Sequence, residues 1–201
     1  VKPGVSEKNV KAAIEAFALK NNIKLADFDI IVASGVNASM PHAAVSERRI
    51  RKQEMVVIDL GAAHFGYNSD LTRTVFLGKI NHNYSAAYNI VLASQTKAIE
   101  ILKPGVYAKD IDSVSRQYIS DRGMGGFFLH SLGHGIGRET HEIPVISQSS
   151  KIKLEQGMVI TIEPGIYIPG WGGIRIEDTV LITADGCEVL TKGAVKYAGR
   201  D

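Results

Sequence analysis

Met55-Val-Val-Ile-Asp59-Leu-Gly-Ala-Ala-His64-Phe-Gly-Tyr-Asn-Ser-Asp70-Leu-Thr-Arg-Thr74-Val-Phe-Leu77 is the stretch whose reading decides the fold. Its first part is an apolar strand, with Val56, Ile58 and Leu60 on one face and Val57 and Asp59 on the other. In the strand that follows, Asp70, Thr72 and Thr74 share a face. A turn centred between His64 and Phe65 sets Asp59 directly opposite Asp70. Like charges facing one another across a sheet are destabilising unless something compensates them, and a divalent cation is the natural compensation for two carboxylates. Asp59 is also boxed in by Val57, Ile58 and Leu60, where an unpaired charge is costly.

The pattern recurs near the other end. Ile160-Thr-Ile-Glu163-Pro-Gly165 and Gly173-Ile-Arg175-Ile-Glu177-Asp-Thr179 form a hairpin if the turn is centred on Gly170, and Glu163 then faces Glu177. Arg175 lies two residues before Glu177 and points to the same face, where a guanidinium can hold a carboxylate in place. Two separate hairpins that each present a facing acid pair indicate a metal site rather than surface charge.

The rest of the chain alternates helices and strands around these hairpins. Val10, Ala13, Ile14 and Phe17 recur at helical spacing after Ser6, a good N-cap, which predicts a helix over 7–20. Further helices are expected over 83–102, stopping at Lys103-Pro104-Gly105, and over 110–122, ended by Gly123. Strands are expected at 29–34, 55–62, 67–77, 158–163, 173–183 and 187–191. Two strand pairs with helices between them imply an α+β fold of two similar halves around a curved antiparallel sheet, as one domain over residues 1–201.

Histidine completes the donor set. The glycine-rich segment 125–137 and its continuation hold His130, His134 and His141. Glycine lets such a segment approach other backbone closely and deliver side chains to a site. One of these imidazoles can ligate metal while the others hydrogen-bond or handle protons. Four carboxylates and one neutral imidazole carry a charge that two divalent cations balance. Oxygen-rich ligation suits Mn2+ first, with Co2+ or Zn2+ as alternatives. Two such ions about 3.5–4 Å apart can share a hydroxide at neutral pH and stabilise a tetrahedral oxyanion, which is the machinery of amide or ester hydrolysis.

Composition narrows the partners. The 201 residues are 45% hydrophobic and 22% charged, and the net charge of +2 is too small to imply a nucleic-acid or membrane partner. The basic run Arg48, Arg49, Arg51, Lys52 reads as a solvated connection before a strand. The single cysteine, Cys187, excludes an intrachain disulfide and points to a reducing, cytoplasmic setting, with Cys187 as a small buried hydrophobe. No apolar run approaches the ~18 residues of a membrane span.

Asp59-x10-Asp70, Gly133-His134-Gly-Ile-Gly137, Thr161-Ile-Glu163-Pro-Gly165 and Arg175-Ile-Glu177-Asp178 together resemble the ligand set of the pita-bread metallopeptidases, which include methionine aminopeptidase, aminopeptidase P and prolidase. Asn37-x3-Pro41-His42, Gly66-Tyr-Asn-Ser-Asp-Leu-Thr-Arg-Thr74, Thr140-His-Glu-Ile-Pro144 and Gly172-Gly-Ile-Arg-Ile-Glu-Asp-Thr-Val180 are similar to the Xaa-Pro branch, aminopeptidase P and prolidase. The resemblance runs from about Lys2 to Thr191. It implies the pita-bread (creatinase/aminopeptidase) fold with pseudo-twofold halves, and hydrolysis of the peptide bond before proline in substrates with proline at the second position. It further implies that Asp70 and Glu177 bridge two metals, that Asp59 completes one site, and that His134 and Glu163 complete the other. Glu163 would shuttle a proton to the leaving amine, His42, His130 and His141 would surround the scissile carbonyl, and Arg175 would support Glu177.

Two departures from the branch stand out. Its members usually carry an N-terminal domain that restricts the substrate's amino end and helps form a homodimer; this sequence, opening on Val1, is expected to lack it and so to be a fragment or an unusual short form. Prolidases often place an arginine just after His-Glu-x-Pro to hold a dipeptide carboxylate, and Val145 stands there here, which favours longer peptides. The short Glu163–Glu177 spacing pulls toward compact prolidases. Methionine aminopeptidase and a metal-free peptide-binding module of the same fold are the rival expectations, with a creatinase-like enzyme behind them.

Overall fold

The chain begins its structure at a capped helix. In the computed structural model, which describes residues 1–196, Ser6 caps α1 (Glu7–Lys20) by accepting the Asn9 amide. Then come β1 (Lys24–Leu25), β2 (Ile31–Ser34), a 3-10 turn at Gly35–Ser39, β3 (Met55–Leu60), β4 (Ala62–His64), β5 (Tyr67–Asn68) and β6 (Leu71–Phe76). Two long helices follow, α2 (His82–Glu100) and α3 (Ala108–Ser120). The remainder is β7 (Gly133–Gly135), β8 (Glu142–Ile146), β9 (Val159–Ile162), β10 (Gly165–Ile168), β11 (Gly172–Arg175), β12 (Asp178–Ile182) and β13 (Cys187–Val189). No helix among the described residues is long and apolar enough to cross a membrane.

Among the described residues every strand pairing is antiparallel, and the strands form four sheets: β1-β4-β5, β2-β3-β6, β10-β11 and β13-β12-β9-β7-β8. Residue alternation along β3 sorts its side chains. Met55 and Val57 join the main core with Ala87, Val91 and Ala98 of α2 and Ile111 and Ile119 of α3. Val56 joins a second core with Val10 of α1, Ile30, Val32 and Ile50. Asp59 shares the face of Met55 and Val57, so it points inward.

The first hairpin differs from its expected register. Its turn lies at Phe65-Gly66, both at positive φ (49° and 82°), as a two-residue turn of matching twist requires. Asp59 therefore pairs with Thr72, not Asp70. The slip is two residues, so the inward face is kept and Asp70 sits one step beyond β6 on that same face. Each long expected strand is also broken. Gly61 separates β3 from β4, and a Cβ there would lie 2.1 Å from the Ser69 carbonyl. The expected strand 173–183 divides at Ile176-Glu177, because β11 pairs with β10 while β12 pairs with β9.

The second hairpin keeps its expected register. Ile162 faces Asp178 and Gly165 faces Arg175, so Glu163 and Glu177 are the opposed residues at the break between the ladders. There the backbone turns outward to other segments. The Glu163 amide donates to Leu132 O (2.8 Å) and the Glu177 amide to Thr72 O (3.2 Å). Thr74 Oγ1 donates to Arg175 O (2.9 Å) and Thr179 Oγ1 to Asp70 O (2.8 Å), and Arg73 pairs with Asp178 at 2.8 Å. These bonds seam the two halves along the line where the acids meet.

Glycine lets β11 lie flat under the 35–39 turn. A Cβ on Gly173 would stand 2.0 Å from Ala38 O. Gly173→Ala is expected to lower stability by about 1–3 kcal/mol, read as an earlier urea midpoint. Gly126→Ala, where a Cβ meets nothing within 4 Å, is the control. Equal midpoints for the two variants would contradict this close seating.

Candidate metal centre

Each acid stands at a strand end or break. Asp59 lies on β3, Asp70 just before β6, Glu163 just after β9 and Glu177 just before β12. His134 comes from the middle of β7, which glycine presses against β9: a Cβ on Gly133 would lie 2.0 Å from Thr161 O. The strand is placed from behind by α3. Asp112 pairs with Arg116 and accepts the Leu132 amide, and Arg116 donates to the carbonyls of Phe128 and His130.

The side chains converge. Ligand atoms of Asp70, His134 and Glu177 all lie within 4.8 Å of one another. His134 Nε2 is 3.7 Å from Asp70 Oδ2 and 3.3 Å from Glu163 Oε1. His134 Nδ1 lies 3.0 Å from Gly135 O. A carbonyl only accepts, so Nδ1 carries the proton and Nε2 is aimed at the acids. Thr161 Oγ1 accepts the His134 amide (3.1 Å) and donates to Glu163 Oε1 (3.1 Å).

Arg175 is buried and takes a different carboxylate from the one expected. Nη2 pairs with Asp59 Oδ2 at 2.8 Å, and Glu177 is reached only through Thr72: Arg175 Nε donates to Thr72 Oγ1 (3.1 Å), which donates to Glu177 Oε2 (2.7 Å). Arg175 Nη1 donates to Pro41 O (3.0 Å) and to Tyr167 OH (2.8 Å). The two-residue register slip puts Thr72 opposite Asp59, and its hydroxyl stands between Arg175 and Glu177.

Sequence reasoning misses Thr72 as a carboxylate partner, and also Thr161 and Tyr167. Tyr167 shares strand parity with Glu163 and with Gly165, the residue opposite Arg175, which is the available signal. Its hydroxyl lies over Gly165, where a Cβ would come within 2.5 Å.

His42, His130 and His141 line the same cavity of about 790 Å3, with Pro41, Ile143, Val145 and the acids. His130 is tied at both nitrogens, Nδ1 to Ser131 O (2.7 Å) and Nε2 to Tyr167 OH (2.8 Å). The carbonyl fixes Nδ1 as donor, so Nε2 accepts the Tyr167 hydroxyl. Burial lowers the His130 pKa, consistent with this neutral form. The His141 ring lies 4.4 Å from that of His134, and its pKa is lowered by burial and by His134. His42 is exposed on the cavity wall.

The electrostatics show a site whose one guanidinium, Arg175, does not balance its four acids. Burial raises Asp59 despite the opposing Arg175. Burial, then the charges of Asp59 and Glu163, push Asp70 up to about 8. Burial and the neighbouring acids raise Glu177 well above the ordinary range. Burial also works to raise Glu163, but its contact with His134, then the nearby His130 ring and the Arg175 guanidinium, outweigh it and lower its pKa. Asp59 Oδ1 and Glu177 Oε1 are buried without a hydrogen-bond partner, a state that costs free energy unless a cation accepts their lone pairs. The donors are carboxylate oxygens and one imidazole nitrogen, which fit hard or borderline divalent ions.

A group whose pKa is raised on folding contributes stability below its unfolded value that is lost as pH rises through its folded value. Metal-stripped protein is therefore expected to weaken, relative to Asp70→Asn, as pH climbs from the ordinary 3.8 through about 8. Added Mn2+ should restore the wild type and not the variant. Parallel thermal-melting curves for the two stripped proteins across that range would contradict the crowding of Asp70.

Known proteins resemble this chain in sequence and fold. The metallopeptidase family M24 matches residues 1–184. The chain is 50% identical over 189 residues to an Xaa-Pro dipeptidase of Pyrococcus furiosus, covering 94% of this chain and 54% of that protein. The structure of an Xaa-Pro dipeptidase from Bacillus anthracis superimposes with a TM-score of 0.94 at 44% identity, over 98% of this chain and 55% of that one. An X-Pro aminopeptidase from Thermotoga maritima gives 0.91 at 42% identity, over 94% and 53%. The chain spans about half the length of the curated relatives it matches. With the pita-bread fold of these neighbours and a family match over most of its length, the chain belongs to metallopeptidase family M24.

Proposed function

We propose that this chain is the catalytic unit of a metal-dependent peptidase that hydrolyses the bond before proline. The observation that carries the reading is the convergence of Asp70, His134 and Glu177 within 4.8 Å, beside the unpartnered Asp59 Oδ1 and Glu177 Oε1. The relatives named Xaa-Pro dipeptidase and X-Pro aminopeptidase support the proline preference.

Asp70 and Glu177 would bridge two ions, with Asp59 completing one site and His134 and Glu163 the other. Mn2+ is the first choice, with Co2+ and Zn2+ as alternatives. When bound, the ions supply Lewis acidity and a nucleophilic water at neutral pH. The chain's own residues do the rest. Proline leaves as a secondary amine and needs a proton; Glu163, beside His134 and Thr161, is placed to carry it. His42 and His141 line the cavity where the scissile carbonyl would lie and can donate to the developing oxyanion. His130, engaged at both nitrogens, serves as a fixed wall against which the proline ring can pack. Arg175 holds Asp59 in its ligating orientation.

Val145 stands directly across β7–β8 from His134, and with the exposed Ile143 it gives the cavity an apolar lip. That lip favours longer Xaa-Pro peptides over free dipeptides. The free Cys187 fits a cytoplasmic setting, and a homodimer is proposed for the full-length protein. Neither nucleic acid nor a membrane is proposed as a partner.

The Mn2+-loaded chain is expected to cleave Xaa-Pro-Yaa peptides in preference to Met-Ala-Ser, and Xaa-Pro-Yaa over Xaa-Pro, in kcat/KM. Preference for Met-Ala-Ser would defeat the proline reading, and preference for Xaa-Pro would defeat the assignment of the lip. Asp70→Ala should lose metal and hydrolysis together, by more than the roughly 100-fold cost of an outer-shell change. Retained binding of two ions in that variant would break the bridging role.

A further inference from the structure

Glu7 is fully buried in the first turn of α1, far along the sequence from the metal centre, and nothing in the proposed chemistry uses it. Every group that meets it is a donor. Oε1 accepts Ser34 N and Ser34 Oγ, both at 2.7 Å. Oε2 accepts Ser46 N at 3.2 Å and the Ser46 hydroxyl. Asn37 Nδ2 reaches both oxygens at 3.2 Å and also Ser46 Oγ at 3.1 Å. One carboxylate thus clamps the two ends of the segment 34–46, with Asn37 as the crosspiece.

A second layer locks the clamp. Arg48 Nη1 donates to Ser34 Oγ and pairs with Glu54 Oε1, both at 2.7 Å, and Arg48 N donates to Ser46 Oγ at 3.1 Å. Arg48 is therefore not the solvated residue its basic run suggests. Gly35 sits at φ 50° with no room for a Cβ, which would come within 2.4 Å of Glu54 Oε2.

The clamped segment carries Pro41, His42, Ala43, Ala44 and Val45, all on the cavity wall. Among the described residues no hydrogen bond holds the exposed His42 ring, so its place is inherited from the backbone. That backbone is fixed at its ends by Glu7 and in the middle by Arg175 through Pro41 O.

We propose that Glu7 is a positioning residue for the hydrolysis, acting through His42: it sets the 34–46 segment so that His42 faces the reacting carbonyl. The activity arm of its test rests on the peptidase reading above; the spectroscopic arm does not. Glu7→Gln must aim its amide NH2 at either the Ser34 or the Ser46 backbone N–H, so one clamp end opens whichever way it turns.

The test is a double-mutant cycle of Glu7→Gln with His42→Ala in Mn2+-loaded protein, with metal content measured for each. Glu7→Gln is expected to keep two ions, to lower kcat/KM on an Xaa-Pro-Yaa peptide by about tenfold or more, and to broaden or multiply the His42 ring signal in 15N-labelled spectra recorded on protein loaded with diamagnetic Zn2+ in place of Mn2+, assigned by its loss in His42→Ala. In the His42→Ala background the same change should cost less than about twofold. An equal loss in both backgrounds, or an unchanged rate with an unchanged His42 signal, would overturn the proposal. If Glu7→Gln does not fold, Asn37→Ala removes the crosspiece alone and runs through the same cycle. A wild type that cleaves no Xaa-Pro peptide would defeat the peptidase reading; the His42 signal then decides the role of Glu7, and an unchanged signal in Glu7→Gln overturns it.

Discussion

Mutual repulsion among Asp59, Asp70, Glu163 and Glu177 is the constraint on which the rest of the structure depends. The four carboxylates meet at the seam between two antiparallel halves, where burial strengthens every charge–charge term. Arg175 neutralises one of them, and the His134 ring lies 3.3 Å from another. Burial first, and then the charges of the neighbouring acids, drive Asp70 and Glu177 toward their neutral forms. Divalent ions held there would remove the repulsion and fasten the two halves together. Folding and metal binding are then coupled through the same side chains.

The inward face of each hairpin is legible in the sequence because alternation survives any even slip of register. Glu163 and Glu177 are placed correctly since Gly170, at φ 75°, marks the turn unambiguously. Asp59 and Asp70 fall on the right face but in the wrong pairing, since Phe65 gives no sign in sequence that it adopts a positive φ. The same slip hides Thr72, whose hydroxyl relays Arg175 to Glu177. Long-range partners are not legible at all. Nothing near Arg48 in sequence announces Ser34, and nothing near Tyr167 announces His130, because such contacts depend on how separate ladders pack.

Positions without side chains are as informative as the ligands. Gly133 and Gly173 let backbone approach backbone where any Cβ would collide: Gly133 seats its neighbour His134 against β9, and Gly173 lies under the 35–39 turn before His42. Behind them, α3 holds the His130 segment through Asp112 and Arg116, and α1 holds the His42 segment through Glu7. Two helices that touch no reacting atom thereby fix the two histidine-bearing walls of one cavity.

Where the cations sit decides whether the four acids act as one centre. Crystals of the protein grown with Mn2+ and measured by anomalous diffraction are the most direct test. Two peaks are predicted to flank Asp70 and Glu177, one reaching Asp59 and the other reaching His134 and Glu163. A single peak, or peaks away from Asp70 and Glu177, would contradict the shared centre.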